Sequence, residues 1–220
     1  DGRLAIVDRL KAQEGAIADS HGDVTVLFAD IVGFTALSAR SDPQELVRML
    51  NGIFSDFDVI AQRHGLEKIK TIGDAYMAAA GLPDPRDDHA AAVMRAAVEM
   101  LDILQAHQSH DGQALDLRVG LHTGPVVAGV IGKHKFTYDL WGDTVNTASR
   151  MESHGVPGAI QVSPATRAQL DDSFEFETRG PLKIKGKDEM STFLYRPASQ
   201  RHKTASDDAG VATADHKPNT

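Results

Sequence analysis

The stretch 24–35, VTVLFADIVGFT, constrains this chain more than any other. It opens on an apolar, β-branched run from Val24 to Phe28, a composition that suits a buried strand. Asp30 then stands where a core strand should be ending, and Gly33 comes three residues later. A carboxylate in that place sits at the lip of a sheet, where a metal or an anionic ligand can reach it. The alternative is an aspartate that only caps the next turn. A second carboxylate at the same lip would favour the first reading.

The segments around this strand supply its frame. Residues 1 to about 20 read as a short helical lead-in, with Leu4, Val7 and Leu10 on one face and Gly15 and Gly22 loosening the chain towards the strand. It is either the end of a coupling helix or a frayed terminus. A helix comes after the first strand. Ser41 or Asp42 can cap it, Pro43 suits its first turn, and Leu46, Leu50, Ile53, Phe57 and Ile60 recur at helical spacing before Gly65 ends it. Residues 67–71 and 75–80 read as two strands, with Ile72, Gly73 and Asp74 as the turn between them. A second helix runs from about 89 to 107 and buries Val93, Ala97, Met100 and Leu104. Asp87 and Asp88 before it read as a charged N-terminus that complements the helix dipole rather than as metal ligands. Leu115, Leu117, Val119 and Leu121 then alternate as a strand with one buried face.

Strand, helix, strand, strand, helix, strand is the ferredoxin-like βαββαβ plan, an α+β fold. Both helices should cover one face of an antiparallel sheet and leave the other to a partner or a ligand. A C-terminal α/β elaboration completes the domain. It comprises an apolar segment at 125–131, a candidate strand at 137–141, a short helix capped by Asp143 and running through Met151, another capped by Ser163, and closing strands at 174–178 and 190–195. From Ala198 onward the chain turns polar and reads as a disordered tail. The expected organisation is therefore a lead-in over 1–22, one folded domain over 23–197, and a tail over 198–220.

Composition removes several functions. The chain has 220 residues, enough for one good-sized core, and a formal net charge of -8. That balance offers no basic footprint for nucleic acid or an anionic membrane. There is no cysteine, which excludes disulfides, thiolate nucleophiles and cysteine zinc sites. No apolar run approaches the ~20 residues of a membrane span, and no signal peptide is visible. The sequence begins at Asp1 rather than Met. The expectation is a cytoplasmic domain cut from a longer protein, with any membrane anchor in a region upstream.

Asp74 is the second carboxylate. In the βαββαβ plan the first strand pairs beside the hairpin that carries Asp74, so Asp30 and Asp74 can share one lip. Two carboxylates there make a natural site for one or two divalent cations. Alone, Asp74 would be an ordinary turn residue. Asn146 and Arg150 stand four apart in the helix after Asp143 and project from one face. An amide beside a guanidinium can hold a sugar or a phosphate, though it can equally be an exposed polar face. Lys183, Lys185 and Lys187 form the densest basic patch of an acidic chain. They suit either a phosphate contact or a solvated edge strand. Other motifs fail. The stretch 129–133 lacks the spacing of a phosphate loop, no nucleophile elbow is present, and the ten His form no zinc pattern.

Three of these stretches together resemble a known family. FADIVGFT at 28–35, EKIKTIGDAY at 67–76 and YDLWGDTVNTASRM at 138–151 look like the catalytic domain of class III adenylyl cyclases, of the bacterial, homodimeric kind. The resemblance covers about residues 23–196, in order and spacing. It implies the class III nucleotidyl cyclase fold and gives each candidate a role. Asp30 and Asp74 match the two metal-binding aspartates, and Ile31 matches the position whose carbonyl helps to hold a metal. Lys70 and Asp139 match the pair that reads the purine. Asn146 matches the residue that orients the ribose, Arg150 the transition-state arginine, and Lys185 the lysine on the triphosphate. The implied cofactors are two divalent cations, Mg²⁺ or Mn²⁺. The implied assembly is a head-to-tail homodimer with two shared sites, one subunit giving the aspartates and the other the rest.

The base-reading pair makes chemical sense. Adenine offers an acceptor at N1 and a donor at N6, which a Lys and an Asp can satisfy; guanine presents the opposite pattern. The pair therefore points to ATP, and the product would be 3′,5′-cyclic AMP with pyrophosphate. Two rivals are a guanylyl or GGDEF-type diguanylate cyclase, and a silent module that dimerises and binds nucleotide as a sensor. Lys70 and Asp139 oppose the first, and no Gly-Gly-Asp/Glu-Glu-Phe signature occurs. The second should have lost one of Asp30, Asp74, Asn146 or Arg150, and all four are present.

Overall fold

The computed structural model describes residues 17–107, 112, 114–131, 137–182 and 189–197. Eight strands and five helices alternate along them: β1 (Ile17–Ile31), α1 (Phe34–Arg40), α2 (Pro43–His64), β2 (Glu67–Ile72), β3 (Ala75–Ala80), α3 (His89–Leu104), β4 (Leu117–Ile131), β5 (Thr137–Trp141), α4 (Asp143–Ser153), β6 (Ala159–Val162), α5 (Pro164–Arg167), β7 (Glu177–Leu182) and β8 (Met190–Tyr195). The strands join one sheet in the order β2-β3-β1-β4-β6-β8-β7, with β5 paired to β4 beside this path. All pairings are antiparallel except β4 with β6. The first four strands of that order are the βαββαβ core, with β1 between the β2–β3 hairpin and β4.

Strand parity sorts the side chains into two cores. Leu27, Ala29 and Ile31 of β1 join Ile53, Phe57 and Ile60 of α2 and Val93, Ala97 and Met100 of α3. The α2 helix forms because its ends are made locally. Asp42 accepts hydrogen bonds from the N–H groups of Gln44 and Glu45, Pro43 takes the first turn, and Gly65 closes the helix at a φ of 68°. Val24, Val26 and Phe28 point the other way. They meet Met77 and Ala79 of β3, Val126 and Ala128 of β4, Leu140 of β5 and Ala148 of α4.

Several expectations are corrected. The second face is not left bare, because α4 and β5 fold back over it and bury a core of their own. Residues 17–22 are the first part of β1 rather than the end of a helix, and they pair with β4 up to a register shift between His21 and Val24. The segments expected at 115–121 and 125–131 are one strand of 15 residues that passes through Gly124 and Pro125. Helix α1, strand β6 and its parallel pairing were not anticipated. The strand expected at 174–178 lies later, at Glu177–Leu182. Asp143 is the first helical residue of α4, whose N-cap is Gly142. Lys183, Lys185, Lys187, residues 1–16 and the tail from 198 lie outside the described residues. Among the described residues no helix is long and apolar enough to cross a membrane.

Candidate active site

The lip of β1 carries the first cluster. Register sets Asp30 opposite Ala75 of β3 and opposite Arg118 of β4. Asp74 occupies the second position of the two-residue turn between Ile72 and Ala75, after Gly73 at a φ of 62°. A glycine with positive φ in the first position of so tight a turn costs little, whereas a side chain there would be strained. The hairpin thus brings Asp74 to Asp30, as the strand order required. Burial, and next the charge of Asp30, hold the Asp74 carboxyl above the ordinary carboxylate value.

Two residues that the sequence did not single out complete this cluster. Arg118 donates from Nη2 to Asp30 Oδ2 at 2.8 Å and from Nε to Glu152 Oε1 at 3.1 Å. Burial, and next the Asp30 charge, push the Glu152 carboxyl up as well, against the pull of Arg118. Glu152 belongs to the last turn of α4, where the helix lies directly on β4. A Cβ at Gly120 would stand 1.9 Å from the Glu152 nitrogen, so only glycine permits this approach. A signal for both residues was present in the sequence. Arg118 interrupts the apolar side of no strand, because it alternates with Leu117 and Val119 and shares the Asp30 face. Glu152 falls four residues after Ala148 and eight after Thr144, on the buried side of α4.

The second cluster is Lys70 and Asp139, the pair expected to read the base. Lys70 of β2 donates from Nζ to Asp139 Oδ2 at 2.5 Å, across 69 residues of chain. The other Asp139 oxygen accepts from the backbone N–H of Leu140 at 2.9 Å, which fixes the carboxylate. Strand β5 makes the meeting possible. It pairs with the far half of β4, with Asp139 opposite Gly129, and returns over the second face to reach β2.

Asn146 and Arg150 lie on the outer side of α4, exposed and half-buried respectively, while Thr144, Thr147, Ala148 and Met151 face inward. Thr144 donates to the Pro125 carbonyl at 2.6 Å and anchors the start of the helix. Among the described residues, neither Asn146 nor Arg150 bonds through its side chain to Asp30, Asp74, Lys70 or Asp139. The Ile31 side chain packs in the helix-side core, so only its carbonyl could serve a metal. Lys185 lies outside the described residues.

The donor set suits a hard divalent cation. Two carboxylates and one carbonyl would be oxygen donors, and the Asp74 carboxyl is raised by burial first and by the Asp30 charge next, with Arg118 pulling the other way. They are too few to enclose an ion. That is the usual state of a Mg²⁺ site, which keeps waters and substrate phosphates as its remaining ligands. Among the described residues no group of three or more His, Asp or Glu side chains could hold a metal unaided.

Comparisons with known proteins identify relatives of the chain and of its fold. The family described as "Adenylate and Guanylate cyclase catalytic domain" matches residues 17–196. An adenylate cyclase of Mycobacterium tuberculosis is 47% identical over 190 residues, covering 86% of this chain and 43% of that protein. Atrial natriuretic peptide receptor 2 of Homo sapiens is 45% identical over 196 residues, covering 86% of this chain and 18% of the receptor. The chain thus spans less than half the length of either relative. Among solved structures, the catalytic core of a rhodopsin-guanylyl cyclase with converted specificity, in complex with ATPalphaS, superposes with a TM-score of 0.78. It is 37% identical and covers 81% of this chain and 97% of that one.

Proposed function

Since this chain belongs to the adenylate and guanylate cyclase catalytic domain family, we propose that it converts ATP to 3′,5′-cyclic AMP and pyrophosphate. The reaction would make it a phosphorus–oxygen lyase. The observation that carries the choice of ATP is the Lys70–Asp139 pair, 2.5 Å apart and held by the Leu140 N–H. Relatives of both base preferences are similar to the chain, so overall likeness does not choose between them; what supports ATP is the donor and acceptor pattern that Lys70 and Asp139 would offer the base. Lys70 donates to the adenine N1 and Asp139 accepts from the N6 amino group. Guanine would set a donor against Lys70 and an acceptor against Asp139, and each unmatched contact costs about 1–3 kcal/mol.

The other residues divide the work. Asn146 orients the ribose. Arg150 meets the charge that develops at the α-phosphate as its bond to the 3′-oxygen forms and its bond to pyrophosphate breaks, a role typically worth about 3 kcal/mol. Lys185 contacts the triphosphate. Asp30, Asp74 and the Ile31 carbonyl would hold two divalent cations, Mg²⁺ or Mn²⁺, which when bound lower the pKa of the 3′-hydroxyl and neutralise the triphosphate.

The active species is a head-to-tail homodimer. What supports this is that Asn146 and Arg150 leave α4 outward, unbonded to either cluster of their own chain. A second copy would bring its Asp30 and Asp74 to them. The test is turnover of ATP and of GTP by the purified domain, in Mg²⁺ and in Mn²⁺, at several protein concentrations. Cyclic AMP from ATP alone, abolished by Asp74→Ala, is the expected result. Cyclic GMP from GTP would overturn the base assignment, and nucleotide bound without turnover would favour the sensor. Mixing Asp30→Ala with Arg150→Ala, each inactive alone, should restore activity; if none returns, sites shared between chains are excluded.

A further inference from the structure

The lip cluster holds three carboxylates, from Asp30, Asp74 and Glu152, around the single guanidinium of Arg118. The guanidinium bridges two of them. Its Nη2 end lies on Asp30 at 2.8 Å and its Nε end on Glu152 at 3.1 Å. The two ends differ in how firmly they are held. Glu152 is buried in the last turn of α4, and its backbone is pressed onto Gly120 of β4. Asp30 is at the open end of β1, in contact with the hairpin carboxylate of Asp74. A divalent cation that enters between Asp30 and Asp74 must take a carboxylate now paired with Arg118, and it must sit beside a fixed positive charge.

We propose that Arg118 is an internal counter-ion that competes with the divalent cation for Asp30, and that Glu152 is the anchor that keeps the arginine at the site when the cation displaces it. The inference rests on the reading that Asp30 and Asp74 hold metal. Arg118 thereby acts as a positioning residue. In the metal-free domain it holds Asp30 in place and limits the repulsion between Asp30 and Asp74. When the cation arrives, the Nη2 end leaves Asp30 while the Nε end stays on Glu152. Because the guanidinium is a rigid planar fork, the exchange tilts it as a unit about its Nε–H contact with Glu152, through the torsions of the aliphatic stem, and calls for no movement of the lip's backbone.

The proposal predicts opposite effects of two neutral substitutions. Removing the competitor in Arg118→Gln should tighten Mn²⁺ binding, measured without nucleotide by the electron paramagnetic resonance signal of free Mn²⁺. The expected gain is on the order of tenfold, the usual size of a coupling between two sites. Removing the anchor in Glu152→Gln should weaken Mn²⁺ binding, because Arg118 is then free to turn both nitrogens onto Asp30. Loss of a negative charge alone would also weaken it, so the double variant decides. In the Arg118→Gln background the Glu152→Gln penalty should shrink, since no arginine remains to be released. A brace without competition predicts no gain in Arg118→Gln and the same Glu152→Gln penalty in both backgrounds; either result overturns the proposal, as does Mn²⁺ binding by neither protein. If Arg118→Gln does not fold, the unmutated protein answers instead. Arginine side-chain ¹H–¹⁵N spectra, assigned with Arg118→Lys, should show the Arg118 Nε–H signal retained on Mg²⁺ saturation while its Nη hydrogens exchange faster. No change in either set overturns the proposal. Turnover of ATP by the same preparation separates the two failures. A domain that makes cyclic AMP but shows none of these effects loses this proposal alone. One that makes no cyclic nucleotide and is unaffected in Mn²⁺ binding by Asp30→Asn loses the metal reading beneath it.

Discussion

Gly120→Ala is the sharpest test of how the fold builds the site. The new Cβ would meet three backbone atoms of α4: the Glu152 nitrogen at 1.9 Å, the Met151 carbonyl carbon at 2.5 Å and the Glu152 Cα at 2.6 Å. Backbone cannot rotate away as a side-chain tip can, so the whole last turn must retreat. Reaching ordinary contact at 3.4 Å from 1.9 Å requires a shift of about 1.5 Å along the shortest line. The Arg118–Glu152 bond, at 3.1 Å, does not survive such a shift. Overpacking of this kind typically costs about 1–3 kcal/mol. For a domain of this size each kcal/mol lowers Tm by roughly 2–4 °C, so the expected drop is roughly 2–12 °C. The same helix carries Asn146 and Arg150, to which the proposed function gives catalytic roles, and misplacing such groups by about 1 Å can slow an enzyme about 100-fold. The assay is thermal unfolding by circular dichroism together with cyclic nucleotide formation in Mn²⁺. Gly22→Ala is the matched control, because a Cβ there meets nothing within 4 Å. If Gly120→Ala melts within about 1 °C of the unmutated domain and turns over within about twofold of it, the close approach of α4 to β4 does not position the site.

Three further substitutions probe other parts of the molecule. Asp74→Asn should stabilise the metal-free domain at neutral pH. A raised carboxyl gives stability that is complete below its ordinary value of 3.8 and is lost as pH rises through its folded value, so the gap between variant and parent should open between acid and neutral pH in urea unfolding with chelator; a gap that is constant with pH would contradict the cause assigned to the shift. Lys70→Met should lower kcat/KM for ATP roughly 10- to 100-fold and narrow the preference for ATP over GTP, measured with the two nucleotides in competition. Thr25→Val should cost about 1–3 kcal/mol, because the buried Thr25 hydroxyl meets His89 Nδ1 and Thr123 Oγ1, each at 2.8 Å, and a methyl leaves both without it. Its turnover should be unchanged, since Thr25 faces the helix side of β1 and Asp30 the other.

Much of the frame was legible because it is written in local patterns. Asp42, Pro43 and Gly65 mark the ends of α2, and the apolar stripe between them defines its buried face. The approach of Asp30 to Asp74 followed from strand order alone. The parts that were not legible depend on contacts across the fold. Strand β6 is four residues long and buried at all four, so it shows no alternation to read. Gly124 and Pro125 looked like a break, yet β4 runs through them, since Pro125 falls where the pairing with β1 shifts register. Polar Asp19, Ser20 and His21 hid the start of β1. The Lys70–Asp139 contact could be named only through family resemblance. The Arg118–Glu152 bond depends on Gly120, whose role appears only when α4 is laid on β4.

One constraint nevertheless governs both core and site. In β1 the residues Leu27, Ala29 and Ile31 face the α2–α3 core, so Val26, Phe28 and Asp30 must face the other way. Arg118 on β4 obeys the same parity against Leu117 and Val119. On β2, Lys70 lies opposite Met77, which belongs to the same second-face core as Phe28. A slip of one residue in the pairing of β1 would turn Asp30 into the helix-side core and bring Ile31 to the lip. That slip would bury an unpaired carboxylate and expose apolar side chains in a single step. The alternation that stabilises the core is therefore also what aims the acidic lip and Lys70 at one surface. It leaves α4, resting on Gly120, as the element whose seat decides how well they are served.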